Sequence, residues 1–566
     1  MVDAFASSLS IVGYGFNGIL SVKQGSFLME DLKFLNQAIP DISDSRRRFI
    51  GLAAGGMALS AFDAWGAAST HGAGMSLSPE PSAAFNPDVE LELTAAHGTQ
   101  QLLPGAPTRL WQFTGKVLKG NPNALTTLPG SSFPVIRVRN QQRVRIFFKN
   151  ELPEESIVHW HGLHIVQKMD GHPMYAIAPG QRFVYEFVVD NRAGTYWFHP
   201  HPHGRTGVQV YRGLTGLFIV DDDEDERAGL PSGEFERAWV LQDRRFDAGN
   251  QIVYSGNPMD MMMGFTGDRI LVNGRPDHVE RVAATAYRVR LLNGSNSRFY
   301  KLAWADGRPL TVIGADGGLL ERPVDKPYVM LAPAERVELW LDFSSEKLGT
   351  ERVLRSLSFS GGTMGMGMGM GPGMRGNGGL ANGAEFDVLK VRVDRSGAKA
   401  RPLPTRLSSI SWPRIEEAVN RNAPRTIRLG MGMGMGMGMG MGMGGTTLND
   451  RTFDMTGVAQ DEIVRLGTTE VWEFVNVSGP MSHPMHVHNL QFRVIERLQD
   501  RRMASVYDTM RAGLVDEGWK DVVIVMPGER VRVLMRFTDY TGLYLYHCHI
   551  LEHEDSGMMR NYQVQS

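Results

Sequence analysis

The sequence predicts an all-β chain of three related sandwiches, and three observations carry that expectation. Segments with Val, Ile, Leu or Phe at roughly every second position recur at Phe133–Arg139, Arg143–Phe148, Arg182–Val189, Tyr287–Leu292, Arg336–Phe343 and Arg530–Phe537. That is the period of a half-buried strand, and convincing helical periodicity is scarce. A coarse internal repeat is the second observation. Pro179-Gly-Gln-Arg-Phe-Val-Tyr-Glu-Phe leads on to Ala193-Gly-Thr-Tyr-Trp-Phe-His-Pro-His, and Pro527-Gly-Glu-Arg-Val-Arg-Val-Leu-Met to Thr541-Gly-Leu-Tyr-Leu-Tyr-His-Cys-His. Between them, Pro333-Ala-Glu-Arg-Val-Glu-Leu-Trp-Leu copies the first half without the histidines. The third observation is size: 566 residues, 42% hydrophobic and 9% aromatic, are ample for several globular cores.

Taken in order, residues 1–70 read as a leader. Ser45-Arg46-Arg47-Arg48-Phe49-Ile50 precedes a mild apolar run, Gly51–Phe62, and small residues from Gly66 to Ser69. Twin arginine, a short apolar segment and a small-residue cleavage region make a Tat-type export signal, and Met29 offers an alternative start. The apolar run is too short and too rich in Gly and Ala to span a bilayer. No other stretch reads as transmembrane, so the expected mature protein is periplasmic, lacks a membrane span and begins near residues 65–70. Three units follow, at 88–225, 232–395 and 403–566, with boundaries at the acidic, turn-like Asp221–Arg227 and at Arg395–Pro404. Two Gly-Met tracts interrupt them: Met364–Met374, with five methionines, closes the second unit, and Met431–Met443, with seven, lies in the third. Glycine at every second position weakens both strand and helix, so flexible exposed loops are expected there.

Charge and cysteine usage narrow the function. Lys and Arg number 59 against 61 Asp and Glu, a net charge of -2, which excludes the basic face of a nucleic-acid binder. One cysteine excludes an intramolecular disulfide framework, a Cys-rich zinc site and a CxxC redox pair.

Eight of the 16 histidines form four His-x-His pairs: His159/His161, His199/His201, His486/His488 and His547/His549. Residues two apart on a strand face the same way, so each pair offers two imidazoles to one site. The pairs divide between the first and last units, which can meet across an interface with the His-poor middle unit as spacer. Cys548, between His547 and His549, points to the opposite face of the same strand. His553 and Met558 follow at steps of five, and His483 precedes the third pair. Two imidazoles, a thiolate and a weak thioether are the ligands of a blue copper. Zinc has no use for an axial Met or for eight further imidazoles.

HWHG (His159–Gly162), WFHPHPHG (Trp197–Gly204), HPMHVH (His483–His488) and HCHILEHEDSGMM (His547–Met559) resemble the four copper motifs of multicopper oxidases, over residues 88–566. The last motif and the Met-rich third unit most resemble the bacterial copper-efflux oxidases, the CueO type. The resemblance implies three cupredoxin-like Greek-key β-sandwich domains and four copper ions. It assigns His483, Cys548, His553 and Met558 to the type 1 site, with Met559 the near competitor for Met558. His159 and His486 fall to type 2, and His161, His199, His201, His488, His547 and His549 to the type 3 pair. His164, His172 and His203 match no ligand. The implied reaction couples four one-electron oxidations to reduction of dioxygen to two waters, with Asp170 and Glu554 supplying protons. Met481 matches a methionine of the cuprous substrate site, whereas Gly479 stands where those enzymes carry an Asp, and no carboxylate occurs between Glu417 and Asp450. Met259-Asp260-Met261-Met262-Met263 reads as a second-unit surface loop or a further soft-metal loop. The reductant is therefore open between cuprous or another low-valent metal ion, in keeping with copper tolerance, and a phenol, as in a laccase. A non-catalytic copper-sequestering protein is the remaining alternative.

Overall fold

A computed structural model describes residues 80–254, 257–361, 380–398, 400–431, 446–476 and 479–566. The twin-arginine leader, the expected mature start and both Gly-Met tracts, apart from the backbone of Met431, lie outside them.

Six sheets pair into three sandwiches along the chain. In the first, Thr108–Lys119, Val89–Gln100, Arg143–Asn150 and Arg182–Val188 form one sheet, and Leu125–Thr127, Pro134–Arg139, Gly216–Asp221, Gly194–Pro200 and Val158–His161 the other, each in that spatial order. A seven-stranded and a five-stranded sheet make the second sandwich, between Glu236 and Ser396. Two five-stranded sheets make the third, between Arg425 and Gln565. The alternating segments named above lie in strands. Arg143–Asn150 buries one face by alternation, whereas Ala286–Asn293 and residues 336–341 are buried on both faces, with Arg288, Arg290, Arg336 and Glu338 between the apolar residues.

The internal repeat is visible in the ladders. Each sheet mixes antiparallel pairs with one parallel pair. In the larger or first sheets these are Val89–Ala95 with Val144–Asn150, Glu236–Leu241 with Arg288–Asn293, and Arg425–Arg428 with Trp472–Val475. In the facing sheets Pro134–Arg139 pairs with Gly216–Asp221, Val279–Ala284 with Phe386–Ser396, and Ile463–Arg465 with Met559–Gln565. A parallel pair requires a crossover between the sheets, so one crossing topology is used three times. Each sandwich closes on its own apolar core, around Trp160 and Phe198, around Tyr287 and Leu339, and around Trp472 and Tyr546.

The boundary at Asp221–Arg227 is not a plain turn. Asp223–Ala228 forms a short helix whose first turn is capped by Asp222 Oδ1 accepting from the Asp225 N–H, and Gly229 ends it at φ 62°. Methionines 259–263 likewise sit on a short helix, Pro258–Met263, capped by Asn257, rather than in a loop.

Charge, not only apolar area, joins the first two sandwiches. Arg137 reaches Asp221 at 2.7 Å and Glu236 at 2.8 Å, Arg290 reaches Glu236 at 3.0 Å, and Glu338 accepts from Arg288 and from Thr195. Burial alone would push the Glu236 carboxyl up, but Arg290, Arg137 and Arg288 outweigh it and hold it at about 2, against an ordinary 4.5. A lowered acid stabilises the fold above its unfolded value and loses that contribution as pH falls towards the folded one. Glu236→Gln should therefore cost about 3 kcal/mol at neutral pH. In calorimetry the gap between wild type and variant should close as pH drops from 4.5 towards 2, whereas a constant gap would mean the carboxylate charge is not what is lost.

Candidate metal centre

Cross-strand register brings the paired histidines together. On the edge strand Val158–His161, His159 lies directly opposite His199 of Gly194–Pro200. In the third sandwich His483–Val487 pairs with Gly542–Cys548, which sets His486 opposite His547 and Met485 opposite Cys548. The two sandwiches then meet face to face. His159 stacks on His488 at 3.7 Å between ring centroids, and His161 on His486 at 3.8 Å. All eight paired histidines are buried.

The structure sorts them. The His161, His199 and His549 ring nitrogens converge in one group, those of His201, His488 and His547 in a second, and those of His159 and His486 in a third that includes His161. A separate group joins His483, Cys548 and His553. The six type 3 candidates thus fall into two triads, a division that the motifs alone do not draw.

The hydrogen bonds show which ring nitrogens carry lone pairs. His159 Nδ1 donates to the Asp170 carbonyl at 2.6 Å, and His486 Nδ1 to the Asp521 carbonyl at 2.7 Å. Their Nε2 atoms are then bare acceptors, yet they face each other at 3.4 Å. The second triad repeats the pattern. His488 Nδ1 donates to Asp170 Oδ2 at 2.8 Å and His547 Nδ1 to the Cys548 carbonyl at 3.1 Å, while their Nε2 atoms are 3.1 Å apart. In the first triad His199 Nδ1 donates to the Pro200 carbonyl, which leaves buried His199 Nε2, His161 Nδ1 and both nitrogens of His549 without a partner. Lone pairs pressed together in a dry interior repel, and unpaired buried nitrogens are costly, unless a cation lies between them. The residues present therefore fit metal ions.

Electrostatics agrees. Burial first, and neighbouring imidazoles second, hold His161, His201, His483, His486 and His488 well below the ordinary imidazole value. Neutral imidazole is the form that binds metal.

At the fourth group Cys548 Sγ lies 3.5 Å from His483 Nδ1 and 3.6 Å from His553 Nδ1. Alternation along the strand turns this thiol away from His547 and His549 into the third core, beside Met485 and Met558. Burial pushes the thiol well up despite the Ile550 N–H directed at it, so a thiolate here needs a cation. Met558 belongs to the same apolar cluster as Cys548, whereas Met559, equally buried, starts the next strand opposite His547. The outer nitrogen of His553, Nε2, donates to the Met262 carbonyl at 3.0 Å, so the Pro258–Met263 helix of the second sandwich covers this edge.

Asp170 does more than stand near the cluster, since its carbonyl and its carboxylate orient His159 and His488 respectively. Gly171 follows at φ 83°, where a Cβ would lie 2.1 Å from the Val158 carbonyl oxygen, so only glycine lets this loop close on the His159 strand. Glu554, on the short helix Leu551–Asp555, is buried 3.2 Å from His547 Nδ1 and 3.5 Å from His201 Nε2. Burial, then Asp555, pushes its carboxyl well above the usual range.

Met481 is a different case. It is fully buried in the third core, which does not fit a substrate residue open to solvent. His164 donates to the Asn489 carbonyl, His172 pairs with Asn561, and His203 packs on Phe453, all outside the four groups. Asp521 and Arg336 carry no metal-ligand motif, and Met262, named above for its thioether, contributes its carbonyl instead. Met262 and the Asp521 carbonyl act through the backbone, which leaves no side-chain signature. Arg336 stands in the Pro333-Ala-Glu-Arg turn, visible as a repeat and otherwise unremarked.

Comparison with known proteins agrees with this geometry. Two multicopper oxidase family models match residues 115–225 and 433–566. A laccase of Bacillus stratosphericus is 30% identical over 501 residues, 80% of this chain and 90% of the relative. The crystal structure of the McoA multicopper oxidase of Aquifex aeolicus superposes with TM-score 0.69 at 33% identity, covering 85% of this chain and 97% of that one. A Campylobacter jejuni multicopper oxidase described as a metallo-oxidase superposes with TM-score 0.66 at 26% identity, over 84% and 91% of the two chains. Motifs, paired imidazole clusters and relatives converge: this chain belongs to the multicopper oxidase family, three-domain oxidoreductases of cupredoxin fold that use oxygen as acceptor.

Proposed function

We propose that the four groups of ligating residues hold copper as one type 1 site (His483, Cys548, His553 and Met558), one type 2 site (His159 and His486) and a type 3 pair. The triads His161/His199/His549 and His201/His488/His547 would hold the pair. When bound, copper supplies one-electron redox chemistry and the site of dioxygen reduction. The observation that carries the reading is the run His547-Cys548-His549, whose alternate side chains enter two separate clusters. Three consecutive residues thus give a short covalent link between the place where electrons enter and the place where they are used. Glu554, 3.2 Å from His547 and 3.5 Å from His201, is placed to pass a proton toward the cluster. Asp170 keeps His159 and His488 in the tautomers that aim Nε2 inward.

For the reductant we infer cuprous ion, in copper tolerance after Tat export to the periplasm. The two Gly-Met tracts and the methionines beside the Met262 carbonyl support soft-metal capture, because thioethers prefer Cu(I). A specific observation favours laccase-like phenol oxidation as the second reading. A Cβ at Gly479 would lie 2.6 Å from Asn476 Oδ1, so the acid that the copper-efflux resemblance expects there does not fit without moving Asn476.

Three experiments test these readings. Cys548→Ser should abolish the blue absorption and electron entry while the histidine clusters still bind copper; a fully copper-loaded wild type without a blue band would sink the type 1 assignment. Steady-state oxygen uptake with Cu(I), Fe(II), Mn(II) and a phenol should show Cu(I) preferred, and deleting Met364–Met374 and Met431–Met443 should slow uptake at limiting Cu(I) but spare the phenol rate. Unchanged Cu(I) kinetics after deletion would favour the phenol oxidase. Replacing Arg46 and Arg47 by Lys should trap precursor in the cytoplasm, and normal periplasmic accumulation would show that the arginine pair is incidental.

A further inference from the structure

Among the described residues the second sandwich contributes to none of the four ligand groups, yet it reaches the histidine cluster through one buried side chain. All five N–H bonds of the Arg336 guanidinium are used. Nε donates to the Thr195 carbonyl at 2.9 Å, and one terminal nitrogen donates to the Ala334 carbonyl at 3.0 Å and to Asp521 Oδ1 at 2.6 Å. The other donates to the Asp316 carbonyl at 3.0 Å and to Asp521 Oδ2 at 2.5 Å. The single group therefore ties all three sandwiches together: Thr195 belongs to the first, Asp316 and Ala334 to the second and Asp521 to the third.

Asp521 stands between this fork and the histidines. Its carbonyl fixes the His486 tautomer at 2.7 Å, and its Oδ1 lies 3.1 Å from His161 Nε2. The fit is close: a Cβ on Gly162, the glycine that ends the HWHG motif, would lie 2.5 Å from Asp521 Oδ2 and 2.9 Å from the Arg336 guanidinium. Asp316 braces the same stretch from behind, accepting from the Arg336 N–H at 2.8 Å and pairing with Lys520 at 2.9 Å. Lys520 also pairs with Glu335 at 2.8 Å.

The internal repeat shows how specialised this turn is. The equivalent arginines, Arg182 and Arg530, are both 51% exposed, whereas Arg336 is fully buried. Where those turns have Gly180 at φ 80° and Gly528 at φ 73°, this one holds Ala334 at φ 70°, a conformation that costs an L-residue energy. The carbonyl of that strained residue is one of the five acceptors.

We propose that Arg336 is a positioning residue of the metal centre: through Asp521 it sets His486 and His161, so that the second sandwich helps to build a site to which it gives no ligand. The proposal rests on the copper reading above. Because the fork acts on His486 and His161 and not on Cys548, its loss should fall on type 2 copper before type 1.

The test uses the full copper-loaded chain. In Arg336→Met the blue band should persist, while the type 2 electron paramagnetic resonance signal should change shape and its copper should pass to a chelator roughly tenfold to a hundredfold faster. Arg336→Lys, which keeps the charge but offers three donors in place of a planar fork, should show the same direction more weakly, and it carries the test if the methionine variant fails to fold. Arg497→Lys weakens another guanidinium–carboxylate pairing, with Asp516 at 2.7 Å, whose arginine bonds Asp516, Glu529 and the Ile524 carbonyl and neither His486, His161 nor Asp521, and should lower the melting temperature without touching the type 2 signal. Folded Arg336 variants with wild-type type 2 spectra and chelation rates would overturn the proposal. A wild-type protein with no type 2 signal would instead overturn the copper reading on which it rests.

Discussion

Everything at the centre of this protein depends on one property of extended chain: neighbouring side chains leave a strand on opposite faces. At Tyr546–His549 that rule directs His547 and His549 to the interface between the first and third sandwiches and sends Cys548 into the apolar core behind it. Two chemically distinct sites are built a single residue apart with no loop or inserted element between them. The facing strands obey the same rule, so His486 meets His547, and His159 meets His199, by ladder register alone. A slip of one residue in any of these pairings would turn every ligand away from its partner.

Such a centre is unfavourable as bare protein. Neutral imidazoles with lone pairs face to face, and a thiol too buried to ionise, gain nothing from folding together. The fold tolerates the arrangement because the rest of the interface is strongly held. Apolar cores close each sandwich separately, and guanidinium–carboxylate contacts, part-buried at Arg137–Glu236 and fully buried at Arg336–Asp521, join one sandwich to the next. Structural strength and ligand geometry are thus supplied by different residues, and the second sandwich, whose His278 pairs with Glu280, takes its part in the assembly through charge contacts.

How much of this was legible in the sequence follows from the range of each interaction. Strand period and His-x-His spacing are local, so the all-β class and the twelve ligand candidates could be read directly. The repeat exposed three units because the same turn precedes corresponding strands. What could not be read acts at long range or through the main chain. The Asp521 carbonyl on His486 and the Met262 carbonyl on His553 could be offered by any residue type. The assignment of six histidines to two triads depends on how the first and third sandwiches dock. Capping by Asp222 and Asn257 turned two apparent loops into short helices. Met481, matched in sequence to a methionine of a cuprous site, lies fully buried in the third core, a burial that its motif does not signal.

The anchoring of the imidazoles by peptide carbonyls has a dynamic consequence. His159, His486, His547 and His553 each give their outer proton to a main-chain oxygen, an acceptor that cannot rotate away as a carboxylate or hydroxyl can. Ring orientation is then as stiff as the backbone itself in a densely packed interior. With copper held as proposed, a ligand cage of that stiffness would change little on gain or loss of one electron, so these carbonyl anchors would keep the nuclear reorganisation of each redox change small.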